Sequence, residues 1–214
     1  MTLRVVTISD THALHRSIEV PDGDVLIHAG DITRSGDMNE VRDFNDFLGE
    51  LPHPHKIVIA GNHDFCFERE PEAAEALLTG CTYLRDSSVR VRGLRVYGSP
   101  WQPWFFDWAF NLRRGPEIRE KWDLIPDDTD ILVTHGPPYG ILDRTMRGEA
   151  AGCRDLLETI VRVKPGLHIF GHIHEGYGRY SDGQTVFVNA SSCDFSYRPV
   201  NPAVVEQIET GPDN

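Results

Sequence analysis

Several things are missing from this sequence, and each absence narrows what it can be. No stretch of about 18 apolar residues occurs, so no membrane-spanning helix is expected, and no charged-then-apolar leader precedes Leu3, so no secretory signal is expected either. The four cysteines, Cys66, Cys81, Cys153 and Cys193, show no CxxC spacing. They read as free thiols of a reducing compartment, which makes the cytoplasm the expected location. Basic residues are in deficit, 21 Lys and Arg against 33 Asp and Glu, for a formal charge of -12. A broad cationic surface for long nucleic acids is thereby excluded, because phosphate contacts need Lys and Arg. A small phosphate ester stays compatible if bound cations reverse the potential locally. There is no internal repeat, low-complexity tract or linker. With 214 residues, 40% hydrophobic and 25% charged, the chain is expected to pack as one domain over 1–209, with a loose tail at 210–214.

What is present is a series of short β-rich runs separated by helical segments or long connections. They are LRVVTIS from Leu3, DVLIHAG from Asp24, KIVIAG from Lys56, DILVTH from Asp130, LHIFG from Leu167 and TVFVNAS from Thr185. This alternation predicts an α/β fold. After Asp37, a potential cap, Val41, Phe44, Phe47, Leu48 and Leu51 recur at helical spacing and predict an amphipathic helix. Residues 154–163 predict a second, with Leu156, Leu157, Ile160 and Val161 on its buried face. Residues 88–99 read as two short strands turning at Gly93, which adds antiparallel pairing.

Five apolar runs end, at their C-terminal side, in a residue able to bind a metal: Asp10, Asp31, Asn62, His135 and His172. Ligands of open α/β sheets bind at the carboxyl ends of strands, so these five can meet in one crevice. His12 in DTH and His174 in GHIH lie two residues beyond the first and last, giving seven candidate ligands. Glycine precedes three of them, as Gly30, Gly61 and Gly171, and suits sharp turns or close backbone approach.

The ordered set DTH at 10–12, GD at 30–31, GNHD at 61–64, His135 and GHIH at 171–174 resembles the calcineurin-like metallophosphoesterases. GSPWQPWFFDWAFNL from Gly98, DILVTHGPPYGILD from Asp130 and FGHIHEGYG from Phe170 are similar to the metallophosphoesterase-domain-containing subgroup. The resemblance implies a four-layer α/β/β/α fold, two mixed β-sheets in a sandwich flanked by helices. It implies one metal on Asp10, His12, Asp31 and His174 and another on Asp31, Asn62, His135 and His172, with Asp31 bridging. A carboxylate can span metals about 3.5 to 4 Å apart, whereas one imidazole nitrogen serves only one. Nitrogen and oxygen donors without thiolate favour two divalent ions of manganese, iron, zinc or cobalt, with manganese the ion expected to work in vitro. The implied activity is hydrolysis of small phosphate esters by metal-activated hydroxide, with phosphodiesters such as cyclic nucleotides ahead of phosphoproteins. Position by position, His63 would face the substrate and protonate the departing oxygen, and Asp64 would fix its orientation and tautomer.

Other polar residues take plainer readings. His53 and His55, among prolines, read as solvated loop residues; His15 is ambiguous; His28 and His168 read as hydrogen-bonded core histidines. The aromatic segment 101–110 reads as packing first, with stacking on a nucleobase or aryl group as the alternative. Asn62, His63, Arg34 and Arg113 are candidates for contacting substrate, against solvated charge for the arginines. Where protein phosphatases of this superfamily carry GDxxDRG, this chain has GDITRSG, a departure that weakens the protein-phosphatase reading. Cys193 reads as structural. The competing function is a metal- and nucleotide-binding module of the same fold with little turnover. A metallo-β-lactamase-type hydrolase is disfavoured because HxHxDH is missing. The sequence carries no signal of oligomeric state.

Overall fold

The computed structural model describes residues 2–210. Thr210 is buried, and the rest of the expected tail, 211–214, lies outside the described residues. Two mixed sheets face each other. The first has the order β13 (Val204–Glu209), β1 (Thr2–Ile8), β2 (Val25–His28), β3 (His55–Val58) and β4 (Thr82–Tyr83), parallel except for β13 against β1. The second has the order β11 (Gly178–Ser181), β12 (Val186–Asn189), β10 (Leu167–Phe170), β9 (Ile131–Thr134), β6 (Leu94–Ser99) and β5 (Ser87–Val91). Here β11 and β5 run antiparallel to their neighbours. A two-stranded ribbon of β7 (Gln102–Pro103) and β8 (Asn111–Leu112) stands apart.

Alternation along the strands builds three apolar layers. Leu3 and Val5 of β1, Val25 and Ile27 of β2, Ile131 and Val133 of β9 and Leu167 and Ile169 of β10 point between the sheets. Val6, Ile8 and Leu26 point the other way, against Val41, Phe44 and Leu48 of α1 (Met38–Glu50) and Phe67 of α2 (Phe65–Arg69) and Ala74 of α3 (Pro71–Glu75). On the far side, Leu132 and Phe170 meet Ile118 and Trp122 of α4 (Pro116–Trp122) and Leu156 and Ile160 of α5 (Arg154–Val163). Strands buried on both faces read as continuous apolar runs, which is why they were conspicuous in the sequence.

Local chemistry sets the boundaries. The Asp37 carboxylate accepts from the Asn39 N–H at 2.8 Å and starts α1, a cap of the kind that contributes about 1 kcal/mol. α5 ends at Lys164, which is left-handed at φ 54° and followed by Pro165. Its buried face differs from the expected one: Val161 is exposed and Leu157 half-buried, while Leu156, Thr159, Ile160 and Val163 are buried. The 3.6-residue period aligns Val163 with Leu156 and rotates Val161 to solvent. The hairpin of β5 and β6 turns through Arg92 and Gly93, at φ 45° and 83°.

One histidine departs from its expected setting, and an ambiguous one is now placed. His53 is buried rather than solvated, with Nε2 donating to the Pro21 carbonyl at 3.0 Å. His15 is buried against the Phe44 and Phe47 rings and reaches Asp43 at 3.0 Å. His28 and His168 are core histidines, each bonded to a threonine. Thr134 Oγ1 donates to the Gly136 carbonyl at 2.8 Å and so accepts from His168 Nε2 at 2.9 Å. Nδ1 of His168 has no partner among the described residues, and burial pushes the ring down to about 3.

A group whose folded pKa is depressed contributes stability that is whole above its unfolded value, about 6.5, and is lost as pH falls toward the folded value. Between pH 7 and pH 5 the wild type should therefore lose about 2 kcal/mol more than His168→Gln, which keeps the donor to Thr134. Urea unfolding at both pH values measures this; parallel losses would show that His168 carries no such linkage.

Candidate metal centre

Every strand that was expected to deliver a donor does so just beyond its C-terminal end. β1 leads to Asp10 and His12, β2 to Asp31, β3 to Asn62, β9 to His135, and β10 to His172 and His174. Six of these seven are among the buried polar residues or under 11% exposed at the side chain, as for His174 at 10%. They fall into two groups that share Asp31. In the first, His174 Nε2 is 3.3 Å from Asp10 Oδ1 and 3.3 Å from His12 Nε2, which is 3.8 Å from Asp31 Oδ2. In the second, His135 Nε2 is 3.4 Å from Asp31 Oδ1 and 2.8 Å from Asn62 Oδ1, and His172 Nδ1 is also 2.8 Å from Asn62 Oδ1.

These contacts pose an electrostatic problem that a cation solves. His135 Nδ1 donates to the Ala29 carbonyl at 2.9 Å and His174 Nδ1 to the Asp194 carbonyl at 2.9 Å. Each neutral ring therefore turns its Nε2 lone pair toward other lone pairs, of Asn62 and Asp31 in one case and of Asp10 in the other. Without an ion only protons can relieve this. Burial opposes the charge on both rings, yet Asp31 pulls His135 up to about 9, and Asp10 pulls His174 up to about 9. His12 and His172 are instead driven down by burial, to about 4 and about 3. Oxygen and imidazole donors in this arrangement fit divalent metal ions.

The backbone is strained to achieve it. Asp10, His12, Asp31 and His172 are left-handed, with φ of 51°, 43°, 59° and 67°, a conformation that costs a non-glycine residue about 1–2 kcal/mol. Interlocking bonds hold them: Asp10 N–H to the Gly30 carbonyl at 2.9 Å, His12 N–H to the Asp31 carbonyl at 3.0 Å, and His172 N–H to Asp10 Oδ2 at 3.0 Å. The glycines serve close approach. A Cβ on Gly61 would overlap Asp31 Oδ1, and one on Gly171 would overlap Asp10 Oδ2.

The expected partnership of Asp64 with His63 is corrected by the structure. The buried Asp64 carboxylate accepts from the N–H groups of Ile32 at 3.2 Å, Thr33 at 2.8 Å and Gly61 at 2.8 Å. It also accepts from the Thr33 hydroxyl at 2.8 Å, and so ties the loop carrying Asp31 to the loop carrying Asn62. Burial and the Asp31 charge push it up to about 6. His63 is oriented by a main-chain group, since its Nδ1 donates to the Arg34 carbonyl at 2.7 Å. Its own N–H donates to Asp31 Oδ1 at 2.8 Å, and its Nε2 lies 4.0 Å from Asp31 Oδ2, facing the cleft.

Residues that sequence reasoning passed over complete the site. Ser191 Oγ donates to Asp10 Oδ2 at 2.9 Å. Tyr197, left-handed at φ 58°, stands edge-on to His12, with ring centroids 4.7 Å apart. The aromatic segment divides: Trp101 and Phe110 pack inward, whereas Trp108 lies 4.2 Å from His63 and lines the cleft with Phe105. Nothing in the spacing of Ser191 or Tyr197 signalled these positions, whereas Trp108 belongs to the aromatic segment for which stacking was the alternative reading. Arg34 lines a neighbouring lobe with His12, Leu14, His63 and Tyr197. Arg113 is not brought to the cleft; it lines a separate depression with Trp104 and Arg114, because β8 carries it away along the ribbon. Cys193 is buried, and burial pushes its thiol up to about 12, which suits a structural role.

Two facing mixed sheets with helices outside, and carboxylate, amide and imidazole donors gathered at their strand ends, define a metal-dependent phosphoesterase fold. The family model for the calcineurin-like phosphoesterase matches residues 3–176, and the chain belongs to that family. It is 51% identical to human metallophosphoesterase domain-containing protein 1, over 97% of this chain and 71% of that one. A UPF0046 protein of Caenorhabditis elegans is 43% identical over 98% of this chain and 82% of its own length. Among solved structures, TT1561 of Thermus thermophilus has the same fold, with TM-score 0.57 at 16% identity, covering 97% of this chain and 98% of that one.

Two variants test this construction. Asp64→Asn should destabilise the metal-free protein by about 1–3 kcal/mol, as an amide group replaces an acceptor among N–H donors, and weaken metal binding at least about 10-fold. Calorimetric metal titration and thermal unfolding read both; lost turnover with unchanged metal affinity would instead restore the role in orienting His63. Gly61→Ala should fold yet hold less than half the wild-type metal, measured by elemental analysis, since its methyl group displaces the Asp31 carboxylate.

Proposed function

We propose that the chain is a dimetal-dependent phosphodiesterase of small substrates, cyclic nucleotides among them. In this reading Asp10, His12, Asp31 and His174 hold one ion and Asp31, Asn62, His135 and His172 the other. When bound, the ions supply positive charge to phosphate oxygens and acidify water toward neutral pH. The chain's own residues supply the rest. With Nδ1–H fixed on the Arg34 carbonyl, the His63 imidazolium has its second proton on Nε2, which faces the cleft. Transfer of that proton to the departing oxygen returns the ring to the neutral tautomer that the carbonyl already holds. Asn62, beside His63 in the cleft, has an amide that can donate to a phosphate oxygen.

The observation that carries the diester reading is the shape of the cleft. Two hollows share His63 and Tyr197 in their walls, a lobe of about 220 Å³ over the metal donors and a second of about 300 Å³ reaching Arg34. A phosphate seated between them has room for two organic substituents, and a monoester fills only one. Volumes of this size suit small esters rather than a folded phosphoprotein. No helix among the described residues is long and apolar enough to cross a membrane, and the free thiols support the cytoplasm as the place of action.

Metal-stripped protein given back manganese should hydrolyse bis(4-nitrophenyl) phosphate at least about 10-fold faster than 4-nitrophenyl phosphate, and should act on 2′,3′- or 3′,5′-cyclic nucleotides. Asp31→Asn should lose metal and activity together. His63→Ala should keep its metal while kcat falls by about 10²–10⁴. Protein that binds two metals and nucleotide yet hydrolyses none of these esters would be a binding module instead.

A further inference from the structure

Two loops, one bearing Phe105 and Trp108 and the other Phe195 and Tyr197, put four aromatic rings around the lobe over the metal donors, and Glu175 completes its wall. We infer that this lobe is a subsite for a cationic substituent, the protonated amine or quaternary ammonium of an amino-alcohol ester; the inference rests on the phosphodiester reading above.

Charge is divided across the cleft. Among the described residues no Lys or Arg lines the aromatic lobe, whereas Arg34 lines the hollow that shares His63 and Tyr197 with it. The exposed Glu175 accepts from the Met146 N–H at its Oε1, at 2.9 Å. Its second oxygen is available, and among the described residues no basic side chain pairs with it. At the Glu175 wall, away from the phosphate that the ions would hold, an ammonium would be attracted.

Trp108 is tilted 32° to the His63 ring and Tyr197 is at 64° to it, so Trp108 and Tyr197 cannot be parallel to each other. A nucleobase sandwiched on both sides needs two parallel ring faces, whereas a cation is attracted to the negative face of any ring turned toward it. Phe105, Phe195 and Tyr197 are 53%, 54% and 48% exposed, so a bound alkylammonium would cover apolar surface that the protein alone leaves in water. The loop carrying Phe195 and Tyr197 is anchored, since Asp194 accepts from the Ser196 and Arg198 N–H groups at 2.9 and 3.0 Å and its carbonyl holds His174. The subsite is thus built onto the metal centre.

The test compares 4-nitrophenyl phosphocholine with 4-nitrophenyl 3,3-dimethylbutyl phosphate, an uncharged ester of the same shape, on the manganese-loaded full chain. The charged ester should have a kcat/KM at least about 10-fold higher, and Glu175→Gln or Trp108→Leu should bring that ratio toward one. A second readout needs no turnover: tetramethylammonium should bind the metal-free protein by calorimetry, and at least about fivefold more weakly in Glu175→Gln. Equal kcat/KM for the two esters would overturn the cationic subsite and leave the phosphodiesterase standing. A cyclic nucleotide cleaved faster than the phosphocholine ester would overturn it in favour of a stacked base. Failure to cleave either ester or bis(4-nitrophenyl) phosphate would overturn the reading of the site itself.

Discussion

The carboxylate of Asp31 is the point on which the rest of this structure depends. It is 2% exposed and directs one oxygen toward His12 and the other toward His135, so it belongs to both donor groups at once. Burial alone would favour its neutral form, but His135 and the surrounding histidines hold it well below the usual carboxylate range. Its neighbours are arranged around that charge. Gly61 has no side chain so that the carboxylate can fit, His63 gives it a main-chain N–H, and Gly30, at φ 101°, turns the chain so that it can enter. A buried anion of this kind is tolerable only with cations or donors on every side.

Much of this was legible in the sequence because strands buried on both faces stand out as apolar runs, and the donors follow them at short, fixed distances. All six runs read as strands are strands, both expected helices form, and the turn at Gly93 is where it was placed. The convergence of Asp10, Asp31, Asn62, His135 and His172 followed from the parallel connections, which bring the carboxyl ends of β1, β2, β3, β9 and β10 to one rim. The error over Val161 has a similarly local cause: apolarity alone does not say which way the helix is rotated on its sheet.

What the sequence hid was set by tertiary geometry. Asp64 follows His63 directly, and adjacency suggested that it serves that ring, but the turn from Gly61 to Asp64 points its carboxylate back at the main chain of Thr33. The group that does hold His63 is the carbonyl of Arg34, and every residue has a carbonyl, so composition cannot mark it. Arg34 also stands where GDxxDRG has its second aspartate, so a main-chain oxygen faces this imidazole in a chain that lacks that side chain. Ser191 and Tyr197 arrive from a loop some 20 residues beyond the last motif, brought in because β12 lies beside β10 and its exit passes under the same rim.

The seven donors come from both sheets, Asp10, His12, Asp31 and Asn62 from one and His135, His172 and His174 from the other. Apart from this rim, the sheets are joined mainly by the apolar layer between them, which gives cohesion without direction and allows small sliding movements. Coordination bonds are directional, so ions bound across the rim would act as rivets that fix the alignment of one sheet over the other. Because a ligand that binds only the folded chain stabilises it by mass action, the ambient supply of metal would then set how stable the sandwich is. The same ions that serve the reaction would decide how long the molecule survives heat, proteases and chelation.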